Sequence, residues 1–185
     1  MAIILRTERK YKPIKIRTIV MSYLNIRDEK SLSTVVELNT LLANYHIYYQ
    51  NLRNFHWNVL GENFFDLHNK FEELYTDARL KIDEIAERIL TLRYHPMSHL
   101  KDYLNTASIK EAASKLTDKE MVKVILDNHS VLLKQMSVVI ENAEKSKDEG
   151  TIDLIGAYIR ELEKSSWMLD AFSKETTSQL NVSVM

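Results

Sequence analysis

Apolar side chains recur three and four residues apart along most of this chain, and very little interrupts them. The 185 residues include only three glycines and two prolines, so few positions can break a helix. That spacing matches the 3.6-residue helical period and not the alternation of a strand. Helix one is expected to begin near Ser31 or Ser33, either of which can act as a cap. Its apolar stripe runs through Val35, Leu38, Leu41, Leu42, Tyr45, Tyr48, Tyr49, Leu52 and Phe55. A tight turn at Gly61 leads into helix two, over about residues 63–92, with Leu67, Phe71, Leu74, Ala78, Ile82, Ile85, Ile89 and Leu92 on its inner face. A long connection, residues 93–117, opens around Pro96 and has room for a short helix over 98–104. Helix three starts after Thr117, where Thr117 and Glu120 form a capping box. A turn over 148–151 precedes helix four, over about 151–174, and residues 175–185 read as a frayed tail.

Four long helices with one extended crossover between the second and third specify an all-α four-helix bundle of ferritin-like connectivity, with a short extra helix in the crossover. Residues 21–185 form this single domain, and its length supports a sizeable core. Residues 1–20 stand apart. They carry six basic side chains (Arg6, Arg9, Lys10, Lys12, Lys15, Arg17) and one acid, whereas the rest of the chain has 19 basic and 25 acidic residues. Two readings of the extension stand: a flexible basic tail, or a segment upstream of a true start at Met21. The acidic body repels nucleic acid, so phosphate contacts are expected only from those six residues. Cysteine is absent, which excludes disulfides, thiolate metal sites and a thiol nucleophile, and fits a reducing cytoplasm. No apolar run is long enough to span a membrane.

The chemistry lies around the Gly61 turn. Imidazole and carboxylate are the ligand set of iron, manganese or zinc. His56 lies near the end of helix one and His68 near the start of helix two, so the reversal between them lets the two imidazoles meet. Glu72 is one turn beyond His68, and Asp83 and Glu87 form a second i, i+4 pair. At 100° per residue, positions 68, 72, 83 and 87 fall within an arc of about 100° on one helical face. The step from Glu72 to Asp83, however, is about 16 Å of rise. Metal–ligand bonds are about 2–2.5 Å long. His56, His68 and Glu72 are expected to converge at one end of the helix pair. If all five residues serve one site, Asp83 and Glu87 must come from an antiparallel second copy. Taken singly, each also fits a solvated helix face or a satisfied histidine. None of the six histidines has Glu three residues before it, so the Glu-x-x-His pair of a di-iron site inside one bundle is missing.

The run NLRNFHWNVLGENFFDLHNKFEELY, followed by DEIAER, resembles the signature of the Dps family, the mini-ferritins. The resemblance rests on His56, Trp57, Gly61, Phe64, His68, Glu72, Tyr75 and the stretch from Asp83 to Arg88, and covers roughly residues 25–174. It implies a hollow homododecamer with a ferroxidase centre at the two-fold interface. His56, His68 and Glu72 would come from one subunit, and Asp83 and Glu87 from its neighbour. Two irons per site are implied, and zinc can occupy the same ligands. Many members have Asp where Glu72 stands. Trp57 matches a tryptophan beside the centre, read either as an electron donor and radical quencher or as interface packing.

The resemblance also implies a reaction. Fe(II) is oxidised, preferably by hydrogen peroxide, and stored as ferric oxyhydroxide, which protects the cell from oxidative damage. Asp148, Glu149 and Asp153 resemble the acids lining the iron-entry pore, although acids at a helix start also stabilise that helix. Some family members coat DNA through basic tails. Arg6, Arg9, Lys10, Lys12, Lys15 and Arg17 are the candidate contacts here, and a DNA-coating shell without enzymatic activity is the competing expectation. The implied location is cytoplasmic, and nucleoid-associated if DNA is coated.

Overall fold

The structure, a computed structural model, describes residues 28–174. The order is α1 (Asp28–Asn58), α2 (Phe64–Thr91), α3 (Leu100–Thr106), α4 (Asp118–Ser146) and α5 (Glu149–Ser173). All regular structure among the described residues is helical, as the periodicity predicts. The basic extension and the tail beyond 174 lie outside the described residues.

Helix α1 is the organising element: α2, α3 and α4 pack against it, and α5 packs against α4. Burial on several sides explains why its core residues exceed one narrow stripe. Leu38, Leu41, Leu42, Ala43, Tyr45, Tyr48, Leu52 and Phe55 are all shielded from solvent. They meet Phe71, Ile85 and Ile89 of α2, Met121, Ile125, Leu132 and Met136 of α4, and Ile155 of α5 in one core. α1 is already helical at Asp28, ahead of both serines read as caps. Ser31 is buried inside the first turns, and serine costs a helix interior only a few tenths of a kcal/mol.

Two helix starts follow local chemistry. At α4 the expected capping box forms: Glu120 N donates to Thr117 Oγ1 (3.3 Å) and Thr117 N donates to Glu120 Oε2 (2.8 Å). α5 starts two residues earlier than expected. Lys147 takes the left-handed conformation (φ 58°) that closes α4, and Asp148 caps α5 by accepting from Thr151 N (3.1 Å) and Thr151 Oγ1 (2.6 Å). Gly150 is therefore not the turn residue but part of the first turn of α5.

The crossover is held by asparagines of α1, which periodicity could not reveal. Asn39 Oδ1 accepts from Met97 N, and Asn44 Oδ1 from Ser108 N and Ile109 N (2.7, 2.8 and 3.0 Å). Asn51 accepts from Ala112 N and donates to Lys110 O, both at 2.9 Å, and Asn54 donates to Ala112 O (3.0 Å). The short helix lies two residues later than the expected 98–104.

Candidate metal centre

Gly61 has φ +107°, a conformation open to glycine and strained for other residues. It turns the chain from α1 into α2 and brings His56 and His68 side by side. Their rings stack with centroids 3.8 Å apart. Each Nδ1 lies 2.9 Å from the other residue's carbonyl oxygen. A carbonyl only accepts, so both Nδ1 atoms carry the proton and donate. In the neutral imidazole this leaves the lone pair on Nε2, the tautomer a metal ligand requires. Phe64 stacks on His68 (5.0 Å), and Tyr75 meets His56 edge-on (5.3 Å, 82°). Both imidazoles are half-buried.

Glu72 is exposed, and its Oε1 accepts from Tyr75 Oη at 3.3 Å. Burial first, and then the Glu72 carboxylate, push the Tyr75 phenol above its ordinary range. The single chain brings two of the three expected ligands side by side. Among the described residues, no three His, Asp or Glu side chains come together closely enough to hold one ion. The chain pairs the two imidazoles, while Glu72 rests on Tyr75. Asp83 and Glu87 are exposed farther along α2, and helical rise puts Asp83 about 16 Å beyond Glu72.

Trp57 is 59% exposed, with the Arg53 guanidinium 4.6 Å from its ring centroid. Arg53 also lies over Tyr49 (5.3 Å), which meets Tyr75 edge-on (6.1 Å, 87°). Tyr49, Arg53 and Trp57 are four residues apart, so this ladder was legible as an i, i+4, i+8 series. The role of Tyr75 was not, because its partners come from two helices.

The three acids read as pore residues separate. Glu149 and Asp153 are exposed. Asp148 is buried: its carboxylate caps α5 and pairs with Arg88, and Arg88 Nε also donates to Thr151 Oγ1 (2.9 Å). Within the subunit, helix capping and the Arg88 pair account for Asp148.

A ferritin-like domain model matches residues 35–178. DNA protection during starvation protein 2 of Bacillus anthracis is 45% identical over 135 residues, covering 73% of this chain and 92% of that protein. The DNA protection during starvation protein of Brevibacillus brevis is 44% identical over 137 residues, covering 74% of this chain and 92% of its own. Among solved structures, the Dps protein of Vibrio cholerae O1 superposes with a TM-score of 0.80 at 45% identity, covering 83% of this chain and 96% of that one. This chain belongs to the Dps family. The Vibrio Dps protein is described as a member of a broad superfamily of ferritin-like diiron-carboxylate proteins. In this Dps chain, the residues that could contribute to such a centre are the imidazole pair and the carboxylates of Glu72, Asp83 and Glu87.

Proposed function

We propose that this protein is a ferroxidase and iron-storage mini-ferritin whose centre forms between two subunits of a homododecamer. The observation that carries this reading is the reciprocal lock on His56 and His68, which stacks the two imidazoles and engages both Nδ1 atoms, so that Nε2 is the nitrogen left for a metal. Two imidazoles alone make a weak site. Membership of a family that includes diiron-carboxylate proteins supports the further ligands, and Asp83 and Glu87 lie on the same stripe of α2, available to a partner. Trp57, Leu60 and Phe65 around the Gly61 turn are 59%, 80% and 77% exposed in the single chain. Apolar exposure of that size favours an interface.

The substrates are Fe(II) and hydrogen peroxide. Two Fe(II) give up one electron each, peroxide is reduced to water, and the ferric product hydrolyses to oxyhydroxide with release of protons. The protein's part is to hold imidazole and carboxylate donors in place while leaving coordination positions open. Zinc can take the same ligands. Glu149 and Asp153 remain the candidates for iron entry. The test is stopped-flow Fe(II) oxidation with peroxide. His56→Ala and Asp83→Asn are each expected to slow it at least about tenfold, and wild-type rates in both variants would overturn the proposal.

DNA coating is the second reading. It is favoured by the basic residues between Arg6 and Arg17 and by the names of the relatives from Bacillus anthracis and Brevibacillus brevis. It predicts salt-sensitive DNA retardation that is lost when residues 1–20 are removed. Either reading fits a cytoplasmic protein, nucleoid-associated under the second. No helix among the described residues is long and apolar enough to cross a membrane.

A further inference from the structure

We propose that Tyr75 is a positioning residue that presents the Glu72 carboxylate to the imidazole pair. This rests on the ferroxidase reading and assigns a new role within that site. Glu72 is exposed on α2, and a glutamate arm there has three free torsions. One turn away, the phenol of Tyr75 donates to Oε1 (3.3 Å). The Tyr75 ring is itself fixed from α1. It meets His56 edge-on at 5.3 Å and 82°, and Tyr49 edge-on at 6.1 Å and 87°. One side chain thus touches an imidazole ligand of α1 and a carboxylate ligand of α2. With Oε1 held, Oε2 remains free to ligate.

The arm length of Glu72 is part of the argument. An aspartate at position 72 ends one methylene short, so the 3.3 Å contact with the Tyr75 hydroxyl is expected to be lost. The hydroxyl then has nothing to position. Ring packing against His56, in contrast, does not depend on the residue at 72. This separates positioning from simple packing.

The experiment uses the full-length assembled protein, with Co(II) as a spectroscopic probe and Fe(II) with peroxide as the reaction. Tyr75→Phe keeps the ring and removes the hydroxyl. It is expected to weaken Co(II) binding and raise KM for Fe(II) by about tenfold, with kcat little changed, as for loss of a hydrogen bond orienting a ligand. In a Glu72→Asp background, the same Tyr75→Phe change should have no further effect on Co(II) affinity. The inference is overturned if Tyr75→Phe binds Co(II) like the wild type. It is also overturned if the loss is the same factor in both backgrounds, which is the signature of packing alone. His56→Ala distinguishes the two levels of argument. If it leaves Co(II) binding intact, the ligand reading itself fails. If it abolishes binding while Tyr75→Phe does nothing, only the role of Tyr75 fails.

Discussion

His129 sits in the core of α4 with both ring nitrogens engaged. Tyr48 Oη lies 2.8 Å from Nε2, and Ser166 Oγ lies 2.8 Å from Nδ1. Burial, and to a lesser degree the Lys70 charge, lower its pKa to about 3 from an ordinary 6.5. His46, also partly buried, is lowered in the same direction. The imidazole of His129 is therefore neutral in the native state, whereas the unfolded chain takes up a proton below about pH 6.5. Stability is full above that pH and falls as pH drops toward 3, by about 1.4 kcal/mol per pH unit for one such group. The urea midpoint is expected to fall between pH 7.5 and 5.5, before most carboxylates titrate, and to fall less in His129→Gln. Equal slopes in the two proteins would refute this. The sequence showed His129 only as one of six histidines. A histidine in an apolar stripe and one at a turn look alike until the fold assigns partners. His56 and His68 were legible because the Gly61 turn between them is local.

At the scale of elements, legibility follows periodicity. The long helices could be read because burial imposes a 3.6-residue repeat, and the start of α4 because a capping box is local in sequence. The crossover could not, because its order depends on asparagines of α1 some sixty positions away, and a single amide carries no periodic signal. Asn51 makes the strongest case, as it is buried and binds the backbone twice. Asn51→Ala would leave a backbone N–H and a C=O unpaired, and about 2–3 kcal/mol of stability should be lost by denaturant titration. The contact between α2 and α5 makes a second test. A Cβ at Gly150 would lie 3.0 Å from both terminal nitrogens of Arg88, while at Gly156 it would meet nothing within 4 Å. Alanine normally stabilises a helix by about 1 kcal/mol over glycine. Gly156→Ala should gain that amount. Gly150→Ala should lose it, since Arg88 is anchored on Asp148 and Thr151 and cannot move aside without breaking those bonds. Melting temperatures of the two variants should move in opposite directions.

At the scale of the whole molecule, the stripe on α2 makes its own prediction. A two-fold interface repeats every contact twice, so each pair of subunits would carry two centres. A subunit lacking His56 and His68 and one lacking Asp83 and Glu87 would each be inactive alone. Co-assembled from unfolded chains in equal amounts, they should regain about a quarter of wild-type activity, because half of the interfaces are mixed and each mixed interface holds one intact centre. No recovery, in mixed assemblies verified by mass, would place all the ligands within one chain. A forced monomer should be inactive with every ligand side chain in place.

The Gly61 turn also bears on the order of assembly. His56 and His68 are only 12 residues apart, and loops of about that length close in well under a microsecond, far faster than subunits meet. On the proposed reading, the imidazole half of the centre forms in a step that is first order in chain, and the carboxylate half arrives in one that is second order. Diluting a refolding mixture should then slow the return of activity while leaving the histidine pairing, followed by its ring NMR signals, at the same rate.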